Sequence, residues 1–206
     1  MFETIENSLS DNMISSSKVL TFTHNQVIIR SEESLQYLYY ILEGRAKIYL
    51  YTENGKEIFI HFLKKDDWIG ELAFLGVEGE TKNVVAVGDT KVLAIPKDVV
   101  TSQLLTDSQF LLEMGRFIGK KLLDRTNHFV KIQGYELKYR LATLLIDMSH
   151  DGIYSEKHTN VVDYLGTSYR HLLQIMQEFQ KSGFIRKIGT STYEIDEKRL
   201  KKYYIT

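Results

Sequence analysis

The stretch Val161–Ile185 reads VVDYLGTSYRHLLQIMQEFQKSGFI, and its reading decides the C-terminal part of the chain. Two apolar patterns of helical period meet at one glycine. Val161, Val162 and Leu165 fit the buried side of a short helix, with Thr159 as the expected N-cap. Gly166 stands where a chain turning sharply between helices needs a left-handed backbone, which costs glycine little. Ser168 is the expected cap of the next helix, whose Leu172, Ile175, Met176 and Phe179 pack inward. Tyr169, Arg170, His171 and Gln174 are left on or beside the outer face of its first turns. Helix, short turn and helix is the helix-turn-helix layout, in which the start of the second helix reaches base edges in the major groove. Arginine suits guanine O6/N7 and glutamine adenine N6/N7, so these residue types fit that chemistry.

Downstream, Phe184–Ile188 and Thr192–Ile195 flank Gly189-Thr190-Ser191 as a hairpin carrying Arg186 and Lys187. A hairpin after a helix-turn-helix makes a wing, and its basic residues suit phosphates. The chain of 206 residues has a net charge of −1, which excludes nucleic-acid binding by bulk charge. The balance is uneven, however. Residues 1–135 carry 15 basic and 18 acidic side chains, and residues 136–206 carry 11 and 9. The reading of this half as a DNA binder competes with that of a ligand-binding or protein-interaction module, which exposed Tyr169 on the reading face keeps open.

Upstream of the corner, DGIYSEKHT reads as a polar loop. Leu137, Leu141, Leu144 and Leu145 mark one face of a helix, and Gly134 marks a domain boundary. Residues 107–133 read as a helix about 40 Å long at 1.5 Å per residue. Leu111, Met114, Ile118, Leu122, Arg125, Phe129 and Ile132 form a seam close to the coiled-coil period, so pairing with a second copy is expected. The interface expected from it consists of Leu111, Met114, Ile118, Leu122 and Phe129. Arg125 must snorkel out of that seam. Residues 19–100 read as short strands with turn glycines at 70, 76, 79 and 88, a barrel or roll pattern. Strand-like runs there are broken at EGR (Glu43–Arg45) and at TENGK (Thr52–Lys56), where Asn54-Gly55 suits a tight hairpin turn.

Among 206 residues there is no cysteine, so disulfides, thiolate nucleophiles and cysteine-ligated clusters are impossible in this chain. MFETIENSLSDNM lacks the basic and apolar regions of a signal peptide, and no apolar run is long enough to span a bilayer, so a cytoplasmic protein is expected. Only His24 and His61 lie in the β region, with no metal-binding spacing around them, and no phosphate loop or nucleophile elbow occurs. No enzyme activity, metal or cofactor is expected.

Taken together, YYILEGRAKIYL, GKEIFIHFLKKDDWIGELAFL, the long helix and YLGTSYRHLLQIMQEFQKSGFI resemble the cyclic-AMP receptor protein/FNR (Crp/Fnr) family of bacterial transcription regulators. The resemblance covers roughly residues 19–195, and SYRHLL is similar to the YeiL subgroup. It implies an α+β chain in three parts: a double-stranded β-helix sensory roll over residues 1–106, a dimerisation helix over 107–134 and a winged helix-turn-helix over 135–206. It implies a homodimer on a palindromic double-stranded operator, with RNA polymerase and an unidentified small-molecule effector as further partners. Carried over by position, Ser168, Tyr169, Arg170 and Gln174 face DNA. Tyr169-Arg170 replaces the family's common Arg-Glu pair, and Gln174 replaces its later arginine, so a different half-site is implied.

The resemblance also implies an effector pocket, and the chain departs from it there. Gly70-Glu71-Leu72 matches the segment whose glutamate meets a ribose hydroxyl. The Arg-Ser pair that clamps the phosphate falls within ETKNV, where Thr81, Lys82 and Asn83 stand instead. Lysine lacks arginine's bidentate fork. Cyclic nucleotide is therefore not expected to bind at Gly70, Glu71, Lys82 and Asn83 in the usual way.

Overall fold

The computed structural model describes residues 15–31, 33–53, 55, 57–149 and 152–205. Its N-terminal unit is an antiparallel sheet of β1 (Lys18–Phe22), β2 (Val27–Ile29), β3 (Tyr37–Tyr51), β4 (Glu57–Lys64), β5 (Trp68–Ile69) and β6 (Asn83–Pro96). The strand order is β1-β6-β3-β4, with β2 also pairing β6 and β5 pairing β3. Helix α1 (Glu71–Phe74) lies between β5 and β6, and α2 (Lys97–Ser102) follows β6.

The long ladder between β3 and β6 runs from Tyr37↔Pro96 to Tyr49↔Asn83, and its register shifts on either side of Glu43. EGR therefore does not end a strand, as its composition suggests; it is a bulge inside one 15-residue strand. Gly44 takes φ 82°, and a Cβ there would collide with the Asp89 carbonyl oxygen, so glycine is required. The Thr90 hydroxyl repairs the interrupted ladder. It donates to the Arg45 carbonyl at 2.6 Å and accepts from the Arg45 N–H at 3.3 Å, fully buried. The bulge also changes which residues face the roll interior. Tyr39 and Ile41 before it share one core cluster with Ala46 and Ile48 after it, so the inward parity flips. Of the expected Asn54-Gly55 turn, Gly55 has φ 76° and Asn54 lies outside the described residues.

The other face of β3 packs against helices. Leu38, Tyr40, Trp68, Leu93 and Ile95 bury against Val99, Val100, Leu104, Phe110 and Met114. Trp68 meets Tyr40 and Phe110 edge-on, at 4.9 and 5.7 Å. Phe110 and Met114 open α3 (Ser108–Gly134), whose first turn is capped by the Asp107 carboxylate accepting from Gln109 N and Phe110 N.

Compact packing divides the chain between Lys121 and Leu122, within α3, and not at its Gly134 end. The last turns of α3 belong to the C-terminal unit. His128 stacks on Tyr164 at 4.1 Å and its Nε2 lies 3.0 Å from the Tyr164 carbonyl, while Lys131 Nζ donates to the Ile205 carbonyl. That unit continues with α4 (Leu137–Met148), β7 (Ile153–Ser155), α5 (His158–Leu165), α6 (Tyr169–Lys181), β8 (Ile185–Gly189), β9 (Thr192–Ile195) and α7 (Glu197–Leu200). Leu141, Leu145, Leu165, Leu172, Met176 and Leu200 form its fully buried centre. The stretch read as polar loop holds β7, which pairs β9 and makes the wing a three-stranded sheet of order β7-β9-β8. Thr90→Val, which keeps the shape and deletes the hydroxyl, is expected to cost about 1–3 kcal/mol. Urea unfolding monitored by circular dichroism checks this.

Candidate nucleic-acid interface and effector site

The corner between α5 and α6 is closed by backbone geometry. Gly166 takes φ 57°, ψ 51°, its N–H bonds to the Asp163 carbonyl, and the Thr167 N–H bonds to the Val162 carbonyl. This is a Schellman closure, and it needs a left-handed residue at Gly166. A Cβ there would also stand 3.1 Å from Ile132 Cγ2. Ser168 caps α6 as expected, its Oγ accepting from His171 N at 3.2 Å. Helix α5 has no side-chain cap: its N-cap is Lys157, and Thr159 lies inside the first turn. The helix thus begins two residues ahead of the start that a Thr159 cap would give.

The capped helix buries Leu172, Ile175, Met176 and Phe179 and leaves Tyr169, Arg170, His171 and Gln174 exposed. Tyr169 is 50% exposed although it is the helix's first residue. Gln174 Nε2 donates to Glu178 Oε1 at 3.2 Å, which orients its amide along the helix. On β8, Arg186 and Lys187 are exposed. Arg186 Nε donates to Glu194 Oε2 of β9 at 2.7 Å, so it is held flat on the wing. Lys187 stands opposite Tyr193 in the β8–β9 register.

One element of this surface has no counterpart in the sequence reading. The His158 ring lies between Tyr193, stacked at 5.9 Å, and Tyr169, tilted at 6.0 Å, and its Nε2 is 3.3 Å from the Tyr193 hydroxyl. Three rings from α5, α6 and β9 thereby lock the start of α6 to the wing. Their positions in the chain follow no period, so no sequence signal announces them. Burial lowers the pKa of His158 from its ordinary 6.5, and the Lys187 charge lowers it further. His128 is lowered by burial, and the Lys131 and Arg140 charges add to this against its bond to Tyr164.

The four residues of the expected effector pocket each have partners inside the chain. Gly70 takes φ 92°, and a Cβ there would lie 2.6 Å from Leu35 Cδ2. Glu71, the first residue of α1, is 3% exposed and meets Lys121 Nζ at 2.7 Å. Lys82 pairs with Glu78. Asn83 accepts from Ser31 N and donates to Ser31 Oγ, both at 3.2 Å. Thr81 is also buried, its hydroxyl without a hydrogen-bond partner among the described residues. In the roll, His24 Nδ1 accepts from Gly88 N, a structural use. Among the described residues no group of three or more metal-binding side chains comes together.

The expected helix seam is split. Leu111, Leu122 and Phe129 are exposed, at 38%, 65% and 62%. Met114 is only 3% exposed and sits in the roll's own core, with Ile118 packed beside it. Met114 is therefore not available to a second copy. The heptad pattern marks burial without saying whose core does the burying. The exposed apolar face lies on the other side of α3 and includes Leu112, Leu123 and Val130. Gly115 and Gly119 lie along it, and both have open space where a Cβ would be.

Residues 19–107 match the cyclic nucleotide-binding domain family. Over 82% of this chain and 78% of its own length, the regulatory protein YeiL of Escherichia coli O157:H7 is 29% identical. The CRP-like cAMP-activated global transcriptional regulator of Mycobacterium tuberculosis is 19% identical over 97% of this chain and 94% of its own. Over most of its length the chain is similar to transcription regulators of the Crp/Fnr type. FixK2 from Bradyrhizobium japonicum shares the fold, with TM-score 0.66, 17% identity and coverage of 92% of this chain and 98% of its own. A CRP/FNR-family regulator from Thermus thermophilus shares it with TM-score 0.71, 18% identity and coverage of 90% and 97%. The α+β architecture expected of such a regulator, a β-roll and a long helix followed by a winged helix-turn-helix, is the one observed.

Ser168→Ala is expected to cost about 1 kcal/mol through loss of the α6 cap, measurable as a lower melting temperature. Because His128 and His158 are held below their ordinary pKa of 6.5, the unfolded chain takes up their protons first as pH falls. Their contribution is therefore fully present above pH 6.5 and is lost as pH drops from there toward the depressed folded values. Urea midpoints across that window should decline, and the double variant His128→Gln, His158→Gln should flatten the decline.

Proposed function

We propose that this chain is a homodimeric, sequence-specific DNA-binding transcription regulator of the Crp/Fnr type that acts in the cytoplasm and not as an enzyme. The observation that carries the reading is the Ser168-capped α6, whose start is locked to the wing by the Tyr169–His158–Tyr193 rings. Exposed Arg170 and Gln174 are the base-reading groups, with Ser168, Tyr169 and His171 at the groove edge. Lys187 and, released from Glu194, Arg186 meet phosphates. The descriptions of YeiL and of the M. tuberculosis protein as regulators support this reading. A two-fold operator follows if α3 pairs with its copy through Leu112, Leu122, Leu123, Phe129 and Val130, with the glycines letting the backbones approach. The three functional regions keep the limits 1–106, 107–134 and 135–206, although compact packing divides within the helix. Among the described residues no helix is long and apolar enough to cross a membrane. RNA polymerase is the proposed protein partner on the operator.

For the roll, the proposed reading is that cyclic nucleotide does not bind in the usual way. The places of the phosphate clamp are taken by buried Thr81, by Lys82 paired to Glu78, and by Asn83 paired to Ser31.

Selection from a random double-stranded library with no effector should enrich a palindrome with half-sites one helical turn apart. On that site Arg170→Ala is expected to cost about 1–3 kcal/mol and relax preference at one position. Lys187→Ala should weaken all sequences alike and reduce the salt slope by about 1. A protein-interaction module would show no such slope. Leu123→Asp should yield monomers in sedimentation velocity; a variant that stays dimeric overturns the α3 interface.

A further inference from the structure

The Glu71 carboxylate is the most deeply buried charged group of the roll, and Lys121 alone answers its charge among the ion pairs of the described residues. The side chains of the pair are 4% and 14% exposed. A carboxylate withdrawn from water to this degree persists as an anion only where a donor meets it. Its position is rigid, because the left-handed Gly70 that starts α1 is wedged against Leu35. Lys121 arrives from α3, its Nζ 5.4 Å from the centre of the Phe117 ring. Its charge also offsets the effect of burial on the nearby Asp67 carboxyl, together with the Lys64 and Lys120 charges.

We propose that Lys121 is the roll's internal ligand: its ammonium holds the donor place on Glu71 that the family resemblance assigns to a ribose hydroxyl, and so fixes α3 in its DNA-competent setting without an effector. The inference rests on the DNA-binding reading above. An incoming sugar hydroxyl would have to exchange a charge-assisted bond to a full cation for a neutral one, an unfavourable trade in a dry site. Lys121 sits on α3, the helix that leads out of the roll, so the contact bears directly on that element. In a two-setting helix, loss of the tether lowers the competent fraction, and apparent DNA affinity falls by that fraction while the DNA contacts themselves stay the same.

The test uses the full-length protein and its selected operator, with Lys121→Met, and with Lys121→Met combined with Glu71→Gln so that no buried charge is left unpaired. Both variants should bind DNA about tenfold or more weakly without effector, and the salt slope should match that of the unmutated protein. The double variant should keep a near-normal melting temperature, which separates the tether from simple loss of folding. Lys121→Arg, which preserves the cation, should retain affinity. Unchanged DNA affinity in the double variant overturns the proposal, as does a rise in the unmutated protein's affinity on adding cyclic AMP. If the unmutated protein binds no DNA with or without cyclic nucleotide, it is the DNA-binding reading that fails, and this inference falls with it.

Discussion

The ladder between β3 and β6, interrupted at Gly44 and closed again by the Thr90 hydroxyl, is the constraint on which the N-terminal unit depends. A uniform 15-residue strand would keep one parity inward along its whole length. The bulge lets β3 place Tyr39 and Ile41, then Ala46 and Ile48, in the same interior. On the opposite face, Leu38 and Tyr40 remain free to bury Trp68, Phe110 and Met114. The seat of α3 on the roll follows from that second core. The approach of Lys121 to Glu71 follows in turn from the seat of the helix. A hydroxyl in the sheet and a buried ion pair are thus linked by a chain of packing contacts.

The candidate reading surface is held by the same kind of local closure. A Schellman corner at Gly166, a serine cap and the contact of the His158 ring with Tyr193 and Tyr169 set the start of α6 before any partner arrives. Preorganisation of this sort reduces the ordering cost of binding. Acidic residues temper it. Glu178 engages Gln174, and Glu194 engages Arg186, so part of the surface's polar capacity is spent within the protein. With a formal charge of −1 over the whole chain, weak non-specific attraction to phosphate is the physical expectation. Discrimination then falls to a few well-oriented groups.

Periodicity and glycine placement carried the parts of the fold that depend on local backbone preference. The inward set of α6, its Ser168 cap and the left-handed Gly166 were legible because helix period and cap chemistry are short-range. β7 was not, since three residues of alternation are too few to stand out from a polar loop. EGR reads as a break because glycine signals a bulge and a turn alike, whereas the ladder runs through it. Met114 differs for another reason: an apolar residue at seam spacing is equally at home against its own roll and against a second helix, and here the roll buries it.

Sequence by itself determined the order of elements, the helix–corner–helix with its exposed Arg170 and Gln174, the basic wing, and the exclusion of any thiol chemistry. Those features rest on residue identity and on spacings of a few positions. Tertiary structure alone decided that Lys121 meets Glu71 across 50 residues, that Thr90 heals the β3 bulge, and that His158 joins α6 to the wing. Each of these joins groups far apart in the chain, and folding brings them within hydrogen-bonding or stacking distance. No local pattern encodes which distant partner a buried carboxylate, hydroxyl or imidazole will find.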